Sequence, residues 1–273
     1  MPDMELVSRR LGSGPPLVVV LQLDRDGWAP VLERLAREHE VVAVDLPGFG
    51  DSPSLPEGTM STVEALATAV AGWLPGAGLV RPPVVGNSLG GAVALELARG
   101  GAVGGAVALS PIGLWTRSEA AYALGSLRVA HAMARACAER PHWIAAHPIG
   151  RTVAFWQLAA RPWRIPEDAA AGALRNLARS PGFEPTQRAV RAYRLRAFTP
   201  EVPVPVTVGW GTRDLMTPPH QALRAARLLP GARHVALKGC GHSPMSDDPE
   251  QVARVVLDAV SGRPGEGRRA AGE

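Results

Sequence analysis

Two short apolar runs rich in β-branched residues, Leu17–Leu23 (LVVVLQL) and Val41–Leu46 (VVAVDL), constrain the fold of this chain more than any other feature. Their apolar character is continuous rather than alternating, which requires burial on both faces and suits strands inside a parallel sheet. Between them, Trp28–Glu38 places Trp28, Val31, Leu32 and Leu35 at helical spacing, completing a βαβ unit. The alternation continues with strands at Val80–Val85, Ala102–Ala108, Val204–Trp210 and His234–Leu237. Helices are predicted at Ser61–Trp73, Leu89–Arg99, Pro219–Leu229 and Pro249–Val260. The expected class is α/β, a mainly parallel sheet with helices on both faces. Met4–Arg10 is read as an antiparallel edge strand.

The rhythm breaks between Ile112 and Phe198, where four helical patterns follow one another without a strand: Arg117–Glu139, Pro141–Leu158, Pro166–Arg179 and Pro185–Ala197. This divides the chain into a core (1–111 and 199–262), an inserted helical lid (112–198) and a Gly- and charge-rich tail (263–273). Trp115, Trp143, Trp156 and Trp163 lie in the lid, and these four of seven tryptophans suggest an apolar roof over the sheet.

Composition narrows the function classes. No apolar run approaches the roughly 20 residues that span a bilayer, and Met1–Arg10 is charged where a secretion signal needs an apolar core, so a cytoplasmic location is expected. The net charge of +4 does not imply nucleic acid, because the arginines are scattered through apolar helical patterns and form no stripe. Cys137 and Cys240, the only cysteines, are read as small buried or pocket-wall residues, too few for a disulfide framework and without metal-site spacing. No metal or other cofactor is expected, and the oligomeric state is not legible.

The chemistry is carried by Gly86-Asn87-Ser88-Leu89-Gly90, a match to G-x-S-x-G lying between a predicted strand and helix. In that context the pattern is a nucleophile elbow, a tight turn that raises a serine above a sheet. A serine hydroxyl needs a base to take its proton, and the base needs an orienting carboxylate. Asp214 follows strand Val204–Trp210, and His242 follows strand His234–Leu237 in a Gly-flanked loop, so three residue types stand in the order Ser, acid, His at the ends of predicted strands. Singly, Asp214 also reads as a helix cap and His242 as a loop residue. His39, His220 and His234 fall within regular patterns and make poorer bases, whereas His131, His142 and His147 lie in the lid, where lining a pocket is open to them.

With DLPGFGDS (45–52), GNSLGGAVALELA (86–98), GWGTRDLMTP (209–218) and GCGHSPMSDDPE (239–250), the chain resembles the α/β-hydrolase superfamily, in particular esterase-like and peroxidase-like bacterial members with a helical cap. The resemblance covers nearly everything outside the lid. It implies Ser88 as nucleophile, Asp214 as acid and His242 as base, and the serine argues against the epoxide hydrolase and dehalogenase branches. One segment departs from the pattern. Where relatives carry a His-Gly pair and a glycine-containing loop that completes the oxyanion hole, this chain has Gln22-Leu23-Asp24-Arg25-Asp26-Gly27-Trp28. The first oxyanion donor is the N–H of Leu89, and the second falls to Leu23 or Asp24. A carboxylate near a developing oxyanion opposes it, and loss of one such donor costs about 3 kcal/mol. Trp28, Trp115 and Met245 are the candidate substrate contacts.

Three functions fit. The first is a serine hydrolase cleaving a small apolar ester, thioester or lactone. The second is a non-hydrolytic enzyme, a lyase, cyclase or C–C bond hydrolase, that uses the atypical Gln22–Gly27 loop. The third is a ligand-binding protein that keeps the three residues as a relic, which their joint retention disfavours because the fold does not require them.

Overall fold

The computed structural model describes residues 4–23, 25–198 and 204–262. Seven strands form one sheet: β1 (Ser8–Leu11), β2 (Pro16–Leu21), β3 (Glu40–Asp45), β4 (Pro83–Asn87), β5 (Gly105–Leu109), β6 (Val206–Gly211) and β7 (Arg233–Leu237). Their spatial order is β1-β3-β2-β4-β5-β6-β7, with β1 antiparallel to β3 and all other neighbours parallel. The edge strand expected at Met4–Arg10 is thus shorter and shifted, pairing Ser8 with Val44 and Leu11 with Val41. The strand expected from Val80 starts only at Pro83. Pro82 and Pro83 lack N–H donors, and Arg81 has φ 45°.

Alternate residues of β2 divide between two cores. Val18 and Val20 pack with Leu66 and Val70 of α2 (Val63–Gly76) and Val93 and Leu97 of α3 (Leu89–Arg99). Leu17, Val19 and Leu21 pack with Leu32 and Leu35 of α1 (Arg25–Leu35), together with residues near the C-terminal end of the chain. The continuous apolar runs of the sequence therefore reflect helices on both faces of the sheet.

Between β5 and β6 the chain is helical: α4 (Arg117–Ala136), α5 (His142–Ala145), α6 (Pro148–Phe155), a 3₁₀ turn at Pro162–Arg164, α7 (Glu167–Arg179) and α8 (Phe183–Val190). The single helix expected over Pro141–Leu158 is two. Pro148 pushes the residue before it out of helical space, and His147 sits extended at φ −103°, ψ 137°. The helix expected over Pro185–Ala197 runs over Phe183–Val190 instead, because beyond it the chain leaves to bond Gly113, Leu195 N donating to Gly113 O at 3.0 Å. After β6 come α9 (His220–Leu228), then β7, the short α10 (Pro244–Asp247) and α11 (Pro249–Val260). Val252 and Val256 of α11 complete the core beneath α1. Among the described residues no helix is long and apolar enough to cross a membrane.

Where α4 begins, a capping box at Thr116 and Glu119 closes its first turn. The Glu119 carboxylate also receives Arg224 and His220 of α9, fixing the start of the helical segment to the core. Burial opposes ionisation of Glu119, but the Arg224, His220 and Thr116 hydrogen bonds together outweigh it and hold the carboxyl at about 2, against an ordinary 4.5. A folded-state value below the unfolded one stabilises the fold above pH 4.5, and that contribution is lost as the pH falls towards 2. The expected result in urea unfolding is that the stability advantage of wild type over Glu119→Gln, clear at pH 6, narrows steadily below pH 4.5. A gap independent of pH would show that the ion pairs contribute nothing through charge.

Candidate active site

Ser88 sits between β4 and α3 with φ 56° and ψ −114°, a positive-φ conformation that is strained for a residue with a side chain. The turn closes because the residues two before and two after the serine, Gly86 and Gly90, lack side chains. A Cβ on Gly86 would lie 2.3 Å from the Gly90 carbonyl, and one on Gly90 would lie 2.9 Å from Val20 O. The backbone N–H of Ser88 donates to Leu109 O at 2.8 Å, which anchors the elbow to β5. Leu89 opens α3, so its N–H has no acceptor within the helix and stands at the positive end of the helix dipole.

Asp214 and His242 are both almost completely buried, and Asp214 Oδ2 meets His242 Nδ1 at 2.9 Å. Asp214 Oδ1 accepts from the backbone N–H groups of Met216 (2.9 Å) and Thr217 (2.8 Å), closing a local turn; the helix-cap reading of this residue is corrected, since α9 begins after Pro219 and has no side-chain cap. Thr217 Oγ1 donates to Asp214 Oδ2 at 2.8 Å and lies 3.0 Å from His242 Nδ1. With Nδ1 facing a carboxylate, the neutral imidazole carries its proton there and leaves Nε2 as a lone pair. Among the described residues Nε2 has no hydrogen-bond partner, Ser88 Oγ included. Contacts of this kind are commonly loose in a free site and tighten on binding.

Two residues that sequence reasoning passed over hold the histidine loop. Asn87 Nδ2 donates to His242 O (2.9 Å) and to Leu109 O (3.1 Å), tying the elbow to the loop. Asp247 accepts three backbone N–H groups, from Gly241 (2.7 Å), Ala160 (2.9 Å) and Arg161 (3.0 Å), and Ser243 N donates to Leu158 O at 2.7 Å. The helical segment and the histidine loop are thereby joined backbone to backbone. Gly241 is required there, since its Cβ would lie 2.7 Å from Ala160 N.

A cavity of about 350 Å³ opens between the carboxyl ends of the strands and the helical segment. Ser88, Leu89 and His242 line it, as do Leu23, Trp28, Trp115 and Met245, while Asp214 sits behind the histidine and off the wall. Asp24 lies outside the described residues. The expected tryptophan roof is corrected: Trp143, Trp156 and Trp163 are exposed, and Arg140 covers the ring of Trp143 at 4.6 Å. The wall facing the sheet is mostly aliphatic instead, with Leu124, Leu127, Met133, Leu174 and Leu177 among its residues, joined by Phe155, Phe183, Thr186 and Gln187. Trp115 is 4% exposed and belongs to the main core as well as to the cavity, so replacing it disturbs packing and pocket together.

The histidines of the helical segment between β5 and β6 are elsewhere. His131 packs against Phe183, and burial, reinforced by Arg135, lowers its pKa. His142 faces Glu167. His147, at the break between α5 and α6, is absent from the cavity wall, as are Cys137 and Cys240. Burial pushes the Cys240 thiol up to about 12, with Asp247 and Asp248 adding to the effect, so it is no competing nucleophile. Among the described residues no group of three or more His, Cys, Asp or Glu is placed to hold a metal ion.

The model of the alpha/beta hydrolase family matches residues 12–255. The chain belongs to that family. An uncharacterised protein of Mycobacterium tuberculosis (strain ATCC 25618 / H37Rv) is 29% identical to this alpha/beta hydrolase over 266 residues, covering 91% of this chain and 76% of that one. RutD of Escherichia coli O44:H18, described as a proposed carbamate hydrolase, is 27% identical over 252 residues and 90% of each chain. Among solved structures, a thermophilic esterase from Thermogutta terrifontis superposes with a TM-score of 0.74 at 25% identity, covering 95% of this chain and 94% of that one.

Proposed function

We propose that this alpha/beta hydrolase is a serine hydrolase that cleaves a small, largely apolar carboxylic ester, thioester or lactone through an acyl-enzyme. The observation that carries the reading is the buried imidazole of His242, held at Nδ1 by Asp214 at 2.9 Å and free at Nε2, in the wall of the same cavity as the strained Ser88.

Ser88 Oγ gives its proton to His242 Nε2 and bonds to the substrate carbonyl carbon, while the carbonyl π electrons move onto oxygen. The N–H of Leu89 receives that oxyanion, with a second donor from Leu23 or Asp24. The intermediate collapses, His242 protonates the leaving alkoxide or thiolate, and Asp214 stabilises the transient imidazolium. Water then gives a proton to His242 as it attacks the acyl-enzyme, and the return of that proton to Ser88 releases the acid. Residues 112–198 serve as the lid over residues 1–111 and 199–262, and their aliphatic wall selects the acyl or alcohol group.

The test is labelling by a fluorophosphonate probe, mapped by mass spectrometry, alongside turnover of p-nitrophenyl esters. Ser88 should be the labelled residue and short esters should turn over. Absence of both would overturn the reading, whereas labelling without turnover of any ester would favour the non-hydrolytic alternative.

The Asp247 clamp makes a separate prediction. Asp247→Ala strands three N–H groups and loosens the loop that carries His242, so we expect kcat to fall about 10- to 100-fold with a smaller change in KM, since misplacing a base penalises the transition state. Steady-state kinetics together with the melting temperature decide it. A lowered melting temperature with unchanged kcat would make Asp247 purely structural.

A further inference from the structure

Helix α8 buries Phe183, Thr186, Gln187 and Val190, the i, i+3, i+4, i+7 stripe of one face, while Glu184, Pro185 and Arg188 are exposed. Two of the four buried positions are polar. Gln187 is 5% exposed and Thr186 is 4% exposed, and both line the cavity that holds Ser88. Neither Nε2 nor Oε1 of Gln187 has a hydrogen-bond partner, and neither does Thr186 Oγ1. A helical threonine ordinarily satisfies its hydroxyl on the carbonyl four residues back, here that of Gly182, and Thr186 does not. Buried polar atoms without partners are costly, so a chain that keeps three of them on one face of a ligand cavity has a use for them.

We propose that Thr186 and Gln187 form a polar subsite in the cavity, apart from the polar residues around Ser88 and His242, binding a neutral group that carries both a hydrogen-bond donor and an acceptor, of the amide type, on the part of the substrate lying against α8. This rests on the hydrolase reading of Ser88 and refines its substrate class. Gln187 offers one donor face and one acceptor face, which a secondary amide matches with its own C=O and N–H, and Thr186 supplies a rotatable hydroxyl to either. The group is taken as neutral because Thr186 and Gln187 are themselves uncharged, and among the side chains that are described no Asp, Glu, Lys or Arg lines the cavity to offset a buried charge. The scissile carbonyl is a different part of the molecule, held at Ser88 and Leu89. The substrate class is therefore an ester or thioester with an apolar body and a remote amide-like group.

The test compares matched substrates differing only at that group. On the acyl side these are p-nitrophenyl 4-acetamidobutanoate and p-nitrophenyl heptanoate; on the alcohol side, 3-acetamidopropyl acetate and hexyl acetate, followed by pH-stat. Wild type should favour the amide-bearing member of at least one pair by about tenfold or more in kcat/KM, since sites built to hydrogen-bond reject analogues that cannot. Gln187→Leu should reverse that preference, and Thr186→Val should reduce it. Gln187→Met, which keeps the length without the amide, provides the same comparison should the leucine variant fold poorly. Equal ratios in wild type and the Gln187 variants for both pairs would overturn the subsite, and a raised melting temperature alone would mark Gln187 as a frustrated core residue. Fluorophosphonate labelling of Ser88 separates failure of the subsite from failure of the hydrolase reading. If Ser88 proves unreactive, N-butylacetamide should still raise the melting temperature of wild type and not that of Gln187→Leu, and absence of that difference would also overturn the subsite.

Discussion

Ser88→Ala should lower ester turnover by about 10⁶-fold, leaving only the catalysis that binding and the oxyanion donors supply. The fold should survive, because the elbow is held by backbone and glycine contacts rather than by the serine side chain: Ser88 N bonds Leu109 O, Ala92 N bonds Ser88 O, and Gly86 lies against Gly90. Circular dichroism and the melting temperature check the fold, and single-turnover kinetics on purified variant check the chemistry. Turnover at the wild-type rate would remove Ser88 from the mechanism.

The next largest effect is expected from Asp214→Asn, a drop in kcat of about 10⁴-fold. The reason lies in how four donors share the carboxylate. Two belong to the backbone amides of Met216 and Thr217, which cannot turn away, so the single amide oxygen of an asparagine stays with them. Its NH₂ then replaces Oδ2 and faces His242 Nδ1 and Thr217 Oγ1, where donors stood before. Nδ1 becomes an acceptor, the imidazole proton moves to Nε2, and the lone pair that would take the Ser88 proton is gone. Imidazole ¹⁵N chemical shifts of His242 should report the exchange of tautomers. Retention of most of kcat in Asp214→Asn would mean that the acid does not orient the base.

Both arguments use residues that the sequence made visible, for reasons that differ. Strand β2 was legible because burial on two faces leaves no polar position from Leu17 to Leu21, and Ser88 because a turn that tight tolerates few residue types. Asp214 and His242 were legible as residue types at strand ends, although their contact joins positions 28 apart. Asp247 was not, since it binds backbone 87 and 86 residues away in sequence and backbone carries no side-chain signature. Gln187 reads in sequence as one more polar residue of an amphipathic helix, and only packing reveals which face is covered. The tryptophans misled for the opposite reason: Trp143 and Trp163 look like core by type and lie at the surface of short, proline-broken helices.

The Asp247 clamp also bears on how this scaffold tolerates exchange of parts. Its carboxylate reads amide hydrogens at 160 and 161, not side chains, so a transplanted helical segment with any residues there can dock provided neither is proline, which has no hydrogen to offer. Grafts of the segment between β5 and β6 should therefore keep His242 in place when they preserve the path of the chain at 158–161, and lose that placement when they do not, however faithfully Ser88, Asp214 and His242 are retained.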